Sequence, residues 1–377
     1  MTTPHQDIPA LRAGLADQLA AELPSRTWPE VFRVVDRHVF APRFALFDPV
    51  TGSFTHYDVH DPDPVRRAEA MAAAYSNDTL ITRFDDDGNP ISSSTEPSMM
   101  ASMLAALDLR PGHRVLEVGT GTGYNAALLA RFVGDEQVTT IDVDGELINT
   151  ARAALDVTGY APTVVCGDGA AGVPERAPFD RIMATCGVDR VPGAWLDQLT
   201  ADGAILVTVS TGIALLRRAP DGAVHGRFLG AAGFMPLRSH GYQPRWSGRR
   251  VLEETGGSAD DTRSVTVPKG LELSTAAFFT SLIAEHGRLV FLGEDEQVVS
   301  YRWVHPASGS WVRVDLGEHP ATVHQAGSRR LWDEVEPVLE TWDVAGRPEI
   351  DRYGLTVTTD GRHVLWLDSP EHHITAL

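Results

Sequence analysis

The sequence predicts an α/β fold: a doubly wound, mostly parallel sheet, with a helical extension before it and a smaller α+β domain after it. Three observations predict it. Short apolar runs alternate with helix-patterned stretches from 91 to about 240. One run, Val115-Leu116-Glu117-Val118, breaks into the glycine-rich turn Gly119-Thr120-Gly121-Thr122-Gly123, and a helix opens at Tyr124-Asn125-Ala126-Ala127. Two further runs end in an acid: Asp142 after Gln137-Val138-Thr139-Thr140-Ile141, and Asp168 within Gly167-Asp168-Gly169. Open α/β sheets bind ligands at such strand ends.

Taken in order, residues 9–23 and 28–40 have helical spacing. Leu11, Leu15, Leu19 and Leu23 share one face, and Val31, Val34, Val35 and Phe40 form a second apolar set. Asp61-Pro62-Asp63-Pro64 interrupts before a helix of about 64–76, and Asp85-Asp86-Asp87-Gly88-Asn89-Pro90 reads as a polar turn. Residues 1–90 are therefore expected to be a helical and loop extension. The domain of 91–240 follows, with strands near 114–118, 137–142, 162–167, 181–185 and 203–209 and helices between most of them. The segment from Arg238 to Arg250 is basic and rich in turn residues, with Arg245, Trp246, Arg249 and Arg250. It reads either as an exposed linker or as positive charge for an anionic substrate. Beyond it, 241–377 reads as an α+β domain for peptide recognition. Its strands are expected at 288–292, 298–303, 311–314, 354–357 and 363–367. A helix of about 328–343 carries Leu331, Val335, Val338 and Leu339 on its apolar side.

Composition narrows the function. At 377 residues, two or three domains are expected. A net charge of -19 and the lack of a dense Lys/Arg tract argue against nucleic acid as a partner. The two cysteines, Cys166 and Cys186, lie in apolar runs read as adjacent strands and are expected to be small core residues. The fourteen histidines are scattered without ligand spacing, so no metal site is expected. No apolar stretch approaches the ~20 residues that span a bilayer. The first residues have no basic-then-apolar signal pattern, so no membrane partner is expected and the chain reads as cytoplasmic.

The turn itself chooses the cofactor. A dinucleotide fingerprint sets its third glycine three residues after the second, whereas Gly119, Gly121 and Gly123 are evenly spaced. Glu117 brings a carboxylate that repels a pyrophosphate and suits a ligand bearing an ammonium and a sulfonium. S-adenosylmethionine fits better than a nicotinamide dinucleotide. Asp142, nineteen residues after Gly123, stands where such folds hold ribose hydroxyls, although a strand-end turn also uses an acid there.

With these residues in place, the stretch from Ser92 to about Ser239 resembles the protein-L-isoaspartate O-methyltransferase family. The matching words are Thr95-Glu96-Pro97, the run from Leu109 through Arg110-Pro111-Gly112 to Tyr124, Gly167-Asp168-Gly169, Ala177-Pro178-Phe179-Asp180, and Val191-Pro192 before Leu196-Asp197-Gln198-Leu199. The resemblance implies a Rossmann-like S-adenosylmethionine-dependent core, S-adenosylhomocysteine as product, and a peptide carboxylate as acceptor. Thr95, with Ser94 beside it, stands where the family's repair enzymes carry a serine in a Thr-Ile-Ser-Gln-Pro-like word, and those enzymes are expected to be far shorter. The long flanks resemble actinobacterial homologues of ribosomal-peptide maturation, in graspetide-type (ATP-grasp) or lanthipeptide systems. There an aspartate is esterified and collapses to an aspartimide. A peptide crosslinked by an ATP-grasp ligase is then a possible substrate.

In this reading Glu117 takes the methionine ammonium, and Gly119, Thr120, Gly121, Gly123 and Tyr124 admit the methionine end. Asp142 and Val143 take the ribose, and Gly167, Asp168 and Gly169 the adenine. Carboxylate methylation needs little acid-base help, because an aspartate is already ionised near neutral pH. Thr95 can donate to the acceptor at a helix start whose free N–H groups favour an anion. Capping that helix is its other expected role. The alternatives are repair methylation of isoaspartyl residues and a catalytically idle module that presents peptide to a ligase. The sequence leaves the oligomeric state open.

Overall fold

The expected alternation is present in a computed structural model that describes residues 7–49, 51–86, 88–239, 248–268, 273–283, 288–294, 297–316 and 320–377. The chain divides into two compact units. The first comprises 1–186, 194–206 and 237–240, and the second 187–193, 207–236 and 241–377. This differs from the expected cuts at 90 and 240. The N-terminal residues group with the sheet, and 207–236 group with the C-terminal residues.

In the first unit, α1 (Ile8–Glu22), α2 (Thr27–Phe32) and α3 (Arg37–Phe40) come first. Asp7 caps α1, and Leu15 and Leu19 are buried, whereas Val34, expected in the second apolar set, is 43% exposed. A four-stranded antiparallel sheet follows, in a region expected to hold only helices and loops. It comprises β1 (Arg43–Asp48), β2 (Ser53–Asp58), β3 (Leu80–Phe84) and β4 (Pro90–Ser94), in the order β2-β1-β3-β4. Between β2 and β3 lies α4 (Pro64–Ala74). Asp63 accepts from the Val65 and Arg66 N–H groups and Pro64 opens the helix, so the Asp-Pro interruption is its start signal.

The elements α5 (Pro97–Ala106), β5 (Val115–Val118), α6 (Tyr124–Val133), β6 (Val138–Asp142), α7 (Gly145–Thr158), β7 (Thr163–Cys166), β8 (Phe179–Val188), α8 (Gly193–Asp197) and β9 (Leu199–Val209) complete the sequence pattern. The strand order is β9-β8-β5-β6-β7, and β5 pairs in parallel with both β6 and β8. The order reverses at β5, so the crevice at its carboxyl end is the topological switch point where such sheets bind ligands. β5 is buried along its whole length, as a strand covered on both faces must be. Cys186 is buried in β8, but Cys166 is exposed at the end of β7, and β5 and β6 separate the two strands. The expectation of two core cysteines on neighbouring strands fails because β7 lies at the sheet edge, where none of its four residues is fully buried.

The second unit holds β10 (Gly212–Arg218) and β11 (Val224–Ala231), followed by α9 (Gly248–Thr255), β12 (Asp261–Val265), α10 (Leu273–Ile283), β13 (Arg288–Glu294), β14 (Gln297–His305), β15 (Ser310–Asp315), β16 (Ala321–Ala326), α11 (Leu331–Val344), β17 (Tyr353–Val357), β18 (His363–Leu367) and β19 (His373–Ala376). Its strands run in the orders β19-β18-β17-β11-β10 and β12-β16-β15-β14-β13. Phe228, Phe278, Phe279 and Tyr353 stack into one core, while Trp303 and Trp332 meet in another place with ring centroids 6.2 Å apart. Arg249 pairs with Glu253 on its own helix, and Arg245 and Trp246 lie outside the described residues. No described helix is long and apolar enough to cross a membrane.

Candidate active site

The glycine turn leaves β5 with three left-handed backbones in five residues: φ is +99° at Gly119, +52° at Gly121 and +87° at Gly123. L-residues resist such angles. At Gly119 space also forbids a side chain, because a Cβ would stand 2.8 Å from Thr185 Oγ1. That hydroxyl in turn donates to the Gly119 carbonyl at 2.7 Å and holds the turn open toward the crevice.

Asp142 orders the turn from the neighbouring strand. Its Oδ2 accepts from the Gly121 N–H at 3.0 Å and its Oδ1 from the Asp144 N–H at 3.1 Å. Asp144 caps α7 and receives Arg83 at 3.1 Å and Arg238 at 3.5 Å, while Arg238 also reaches 4.0 Å from Asp142. Two arginines therefore brace the loop that carries Asp142 and the half-buried Val143. Sequence reasoning missed Arg83, which carries no motif, and read Arg238 only as part of a basic junction.

Glu117 is placed differently from expectation. It is fully buried, and both oxygens have partners within the protein: Asn125 Nδ2 donates to Oε1 at 2.7 Å and Thr140 Oγ1 to Oε2 at 2.6 Å. Thr140 Oγ1 also lies 2.7 Å from Thr120 Oγ1, so the acid ties the turn, α6 and β6 together. Burial pushes its carboxyl up to about 7. Asn125 Oδ1, on the same side chain, is buried without a hydrogen-bond partner.

Asp168, expected at the adenine, accepts from the Ala170 N–H through Oδ1 at 2.9 Å. Gly169 is more than a turn residue, since a Cβ there would sit 2.6 Å from Val118 Cγ1, and its carbonyl accepts from Trp195 Nε1 at 2.8 Å. Gly167 donates its N–H to the Asp142 carbonyl at 2.9 Å, which brings the ends of β6 and β7 together.

Ser94 is buried and Thr95 half-buried at the end of β4. The segment passes directly beside the turn, as the Ser93 carbonyl is 3.8 Å from where a Cβ of Gly121 would stand. The capping role expected of Thr95 is not what the structure holds. α5 begins at Pro97 after Glu96, and the N-cap residue gives it no side-chain hydrogen bond. Nor are its first N–H groups free: Pro97 has none, and the Ser98 N–H donates to Asn77 Oδ1 at 2.8 Å.

These features coincide with known proteins. The family profile described as Protein-L-isoaspartate(D-aspartate) O-methyltransferase (PCMT) matches residues 66–241. A protein-L-isoaspartate O-methyltransferase 2 of Archaeoglobus fulgidus is 32% identical over 238 residues, covering 62% of this chain and 94% of that protein. The chain belongs to the protein-L-isoaspartate O-methyltransferase family. The Thermotoga maritima protein-L-isoaspartate O-methyltransferase is 38% identical over 149 residues, and the chain spans only 46% of that relative's length. A solved protein-L-isoaspartate O-methyltransferase structure aligns with 95% of this chain and all of its own at a TM-score of 0.55 and 22% identity, which shows a shared fold. The expectation that relatives of this name are far shorter fails for that structure.

Family membership makes S-adenosylmethionine the cofactor, and the residues fit it. The glycines leave room at the switch point, Asn125 Oδ1 is an acceptor without a donor, and the Asp142 carboxylate stands at the strand end. Bound there, the cofactor supplies an electrophilic methyl group.

Proposed function

We propose that this chain methylates a carboxylate of an aspartyl or isoaspartyl residue in a peptide or protein. The observation that carries the reading is the apposition of the Ser93–Thr95 segment to the glycine turn, with the Ser93 carbonyl 3.8 Å from the Cβ position of Gly121. In this reading that proximity would let an acceptor held by the segment approach a cofactor bound at the turn, with no acid-base pair required. A carboxylate needs none. Here the protein's work is alignment: the turn and Asp142 fix the cofactor side, Thr95 donates to one acceptor oxygen, and the other oxygen is left to attack the methyl carbon. Such positioning is worth up to roughly 7–11 kcal/mol.

Isoaspartyl residues are the acceptor that the relatives' names support. A second acceptor, the aspartate of a ribosomally made, modified peptide, is favoured by the Ser94-Thr95-Glu96-Pro97 word. Aligned on Pro97, Thr95 replaces the serine of the repair enzymes' word and Glu96 its glutamine, so the word departs from theirs at both positions before the proline. In this reading the ester collapses to an aspartimide with loss of methanol, and an ATP-grasp ligase supplies the crosslinked peptide. The long flanks add no support, since an isoaspartate methyltransferase structure shares the fold over 95% of the chain. Labelled S-adenosylmethionine offered with an isoaspartyl peptide, and separately with a crosslinked precursor peptide, distinguishes the two. Label in the first alone supports repair, label in the second alone supports peptide maturation, and label in neither defeats the proposal.

A further inference from the structure

Arg37 is a cation in an unusual place. It is fully buried on α3, and its guanidinium meets no carboxylate among the described residues. Its Nη1 and Nη2 donate to backbone carbonyls of two segments, Ala74, Ser76 and Asp78 on one side and Ser94 and Thr95 on the other, the last two at 3.3 and 3.2 Å, while its buried Nε has no partner among the described residues. Its Cζ lies 6.0 Å from the ring centroid of Tyr124, the residue that opens α6 after the glycine turn. Burying a charge this way is costly, and a plain packing role is met more cheaply by an apolar side chain. The planar fork of arginine does something an apolar side chain cannot. It fixes the direction of several carbonyls at once.

The direction matters because of where the segment sits. The Ser93 carbonyl is beside Gly121, while the next two carbonyls turn to Arg37. The peptide plane after Thr95 is gripped at both ends, since its carbonyl accepts from Arg37 and its N–H, that of Glu96, donates to Thr79 Oγ1 at 3.2 Å. We propose that Arg37 is the positioning residue of the acceptor side: it sets the Ser94–Thr95 backbone at a fixed distance from the glycine turn, so that the Thr95 hydroxyl holds the acceptor carboxylate in line with the methyl group. The inference rests on the methyl-transfer reading above.

The test uses the full chain with Arg37→Lys, which keeps a charge but loses the fork, and Thr79→Val, which loosens the other end of the same peptide plane at an exposed position. Three quantities are measured: S-adenosylhomocysteine affinity by calorimetry, kcat and KM with whichever peptide the unaltered enzyme methylates, and hydrogen exchange across 92–96 with S-adenosylhomocysteine bound. Arg37→Lys is expected to lower kcat about tenfold or more, as a misplacement near 1 Å can. It should leave the S-adenosylhomocysteine affinity within about twofold and the peptide KM changed less than kcat. Thr79→Val is expected to act in the same direction by a smaller factor, and both should speed exchange across 92–96. Unchanged kcat in both variants overturns the proposal, and so does a kcat loss matched by an equal loss of S-adenosylhomocysteine affinity. If Arg37→Lys does not fold, Thr79→Val decides alone. If the unaltered enzyme methylates neither peptide, the functional reading has failed instead. Exchange then still judges Arg37, and unchanged rates across 92–96 overturn its role.

Discussion

Glu117 is a carboxyl that meets no water and answers to two neutral donors, Asn125 and Thr140. With its pKa raised to about 7 by burial, the folded protein prefers the protonated form. Its contribution to stability is therefore complete below the ordinary carboxyl range and is lost as pH rises toward 7, by roughly 3 kcal/mol in all. Without ligand, the stability difference between the unaltered protein and Glu117→Gln should shrink between pH 5 and 8, as read from denaturant midpoints. If the cofactor ammonium settles beside this acid, binding favours the ionised form. Calorimetry of S-adenosylhomocysteine near pH 6.5 in buffers of different ionisation enthalpy should then report proton release, absent in Glu117→Gln. Equal heats after buffer correction would confine Glu117 to holding the turn. The presence of an acid at this position was legible in the sequence. That a threonine on the next strand and an asparagine on the next helix would enclose it was not, because both contacts are made across elements.

Thr95 presents the opposite case. Its expected capping role is absent, so Thr95→Val should change stability by less than about 0.5 kcal/mol while lowering turnover more than cofactor affinity. Melts and rates on one sample check this. A loss of stability with turnover retained would return Thr95 to a structural role.

Among elements, the glycine turn makes a graded prediction. Gly121→Ala meets only the backbone cost of a left-handed residue, about 1–2 kcal/mol, because its Cβ has room. Gly119→Ala adds a collision with Thr185 and should be the less stable of the two in thermal melts. The reverse order would mean that the turn is not held by Thr185. The turn, the strands behind it and the caps of α4 and α6 were legible because local chemistry decides them. The four-stranded sheet of 43–94 was not read. β2, Ser-Phe-Thr-His-Tyr-Asp, sets Phe54 and Tyr57 three residues apart on opposite faces and buries neither fully, and Pro-Ile-Ser-Ser-Ser in β4 has no apolar period at all. These strands exist through pairing, which a one-dimensional pattern does not display. Arg37, in the helix just before this sheet, was invisible for the same reason: its carbonyl partners are 37 to 58 residues away.

For the whole molecule, the two units reinterpret the C-terminal residues. Read as a separate recognition domain, 241–377 would be removable and leave an intact cofactor-binding core. β11, however, pairs with β17 from Val224↔Val357 to Arg227↔Gly354, and Phe228 packs edge-on to Phe278 with centroids 4.9 Å apart. Truncation at 240 would bare that strand edge and an aromatic core. The truncated chain should be insoluble, as checked by its yield in the soluble fraction. Soluble protein that still binds S-adenosylhomocysteine would restore the idea of a separable recognition domain. The break at 240 looked like a boundary because turn residues and charge cluster there, yet composition cannot report that later strands return to pair with earlier ones.

The central claim is that the methyl group is delivered to a carboxylate. It is tested most directly by the alkali-lability of the product: the full chain is incubated with methyl-labelled S-adenosylmethionine and an isoaspartyl or crosslinked aspartyl peptide, and the peptide is then exposed to mild base. The account predicts peptide-bound label that base releases as methanol, while label that survives base, as on nitrogen or a phenolic oxygen, would contradict it.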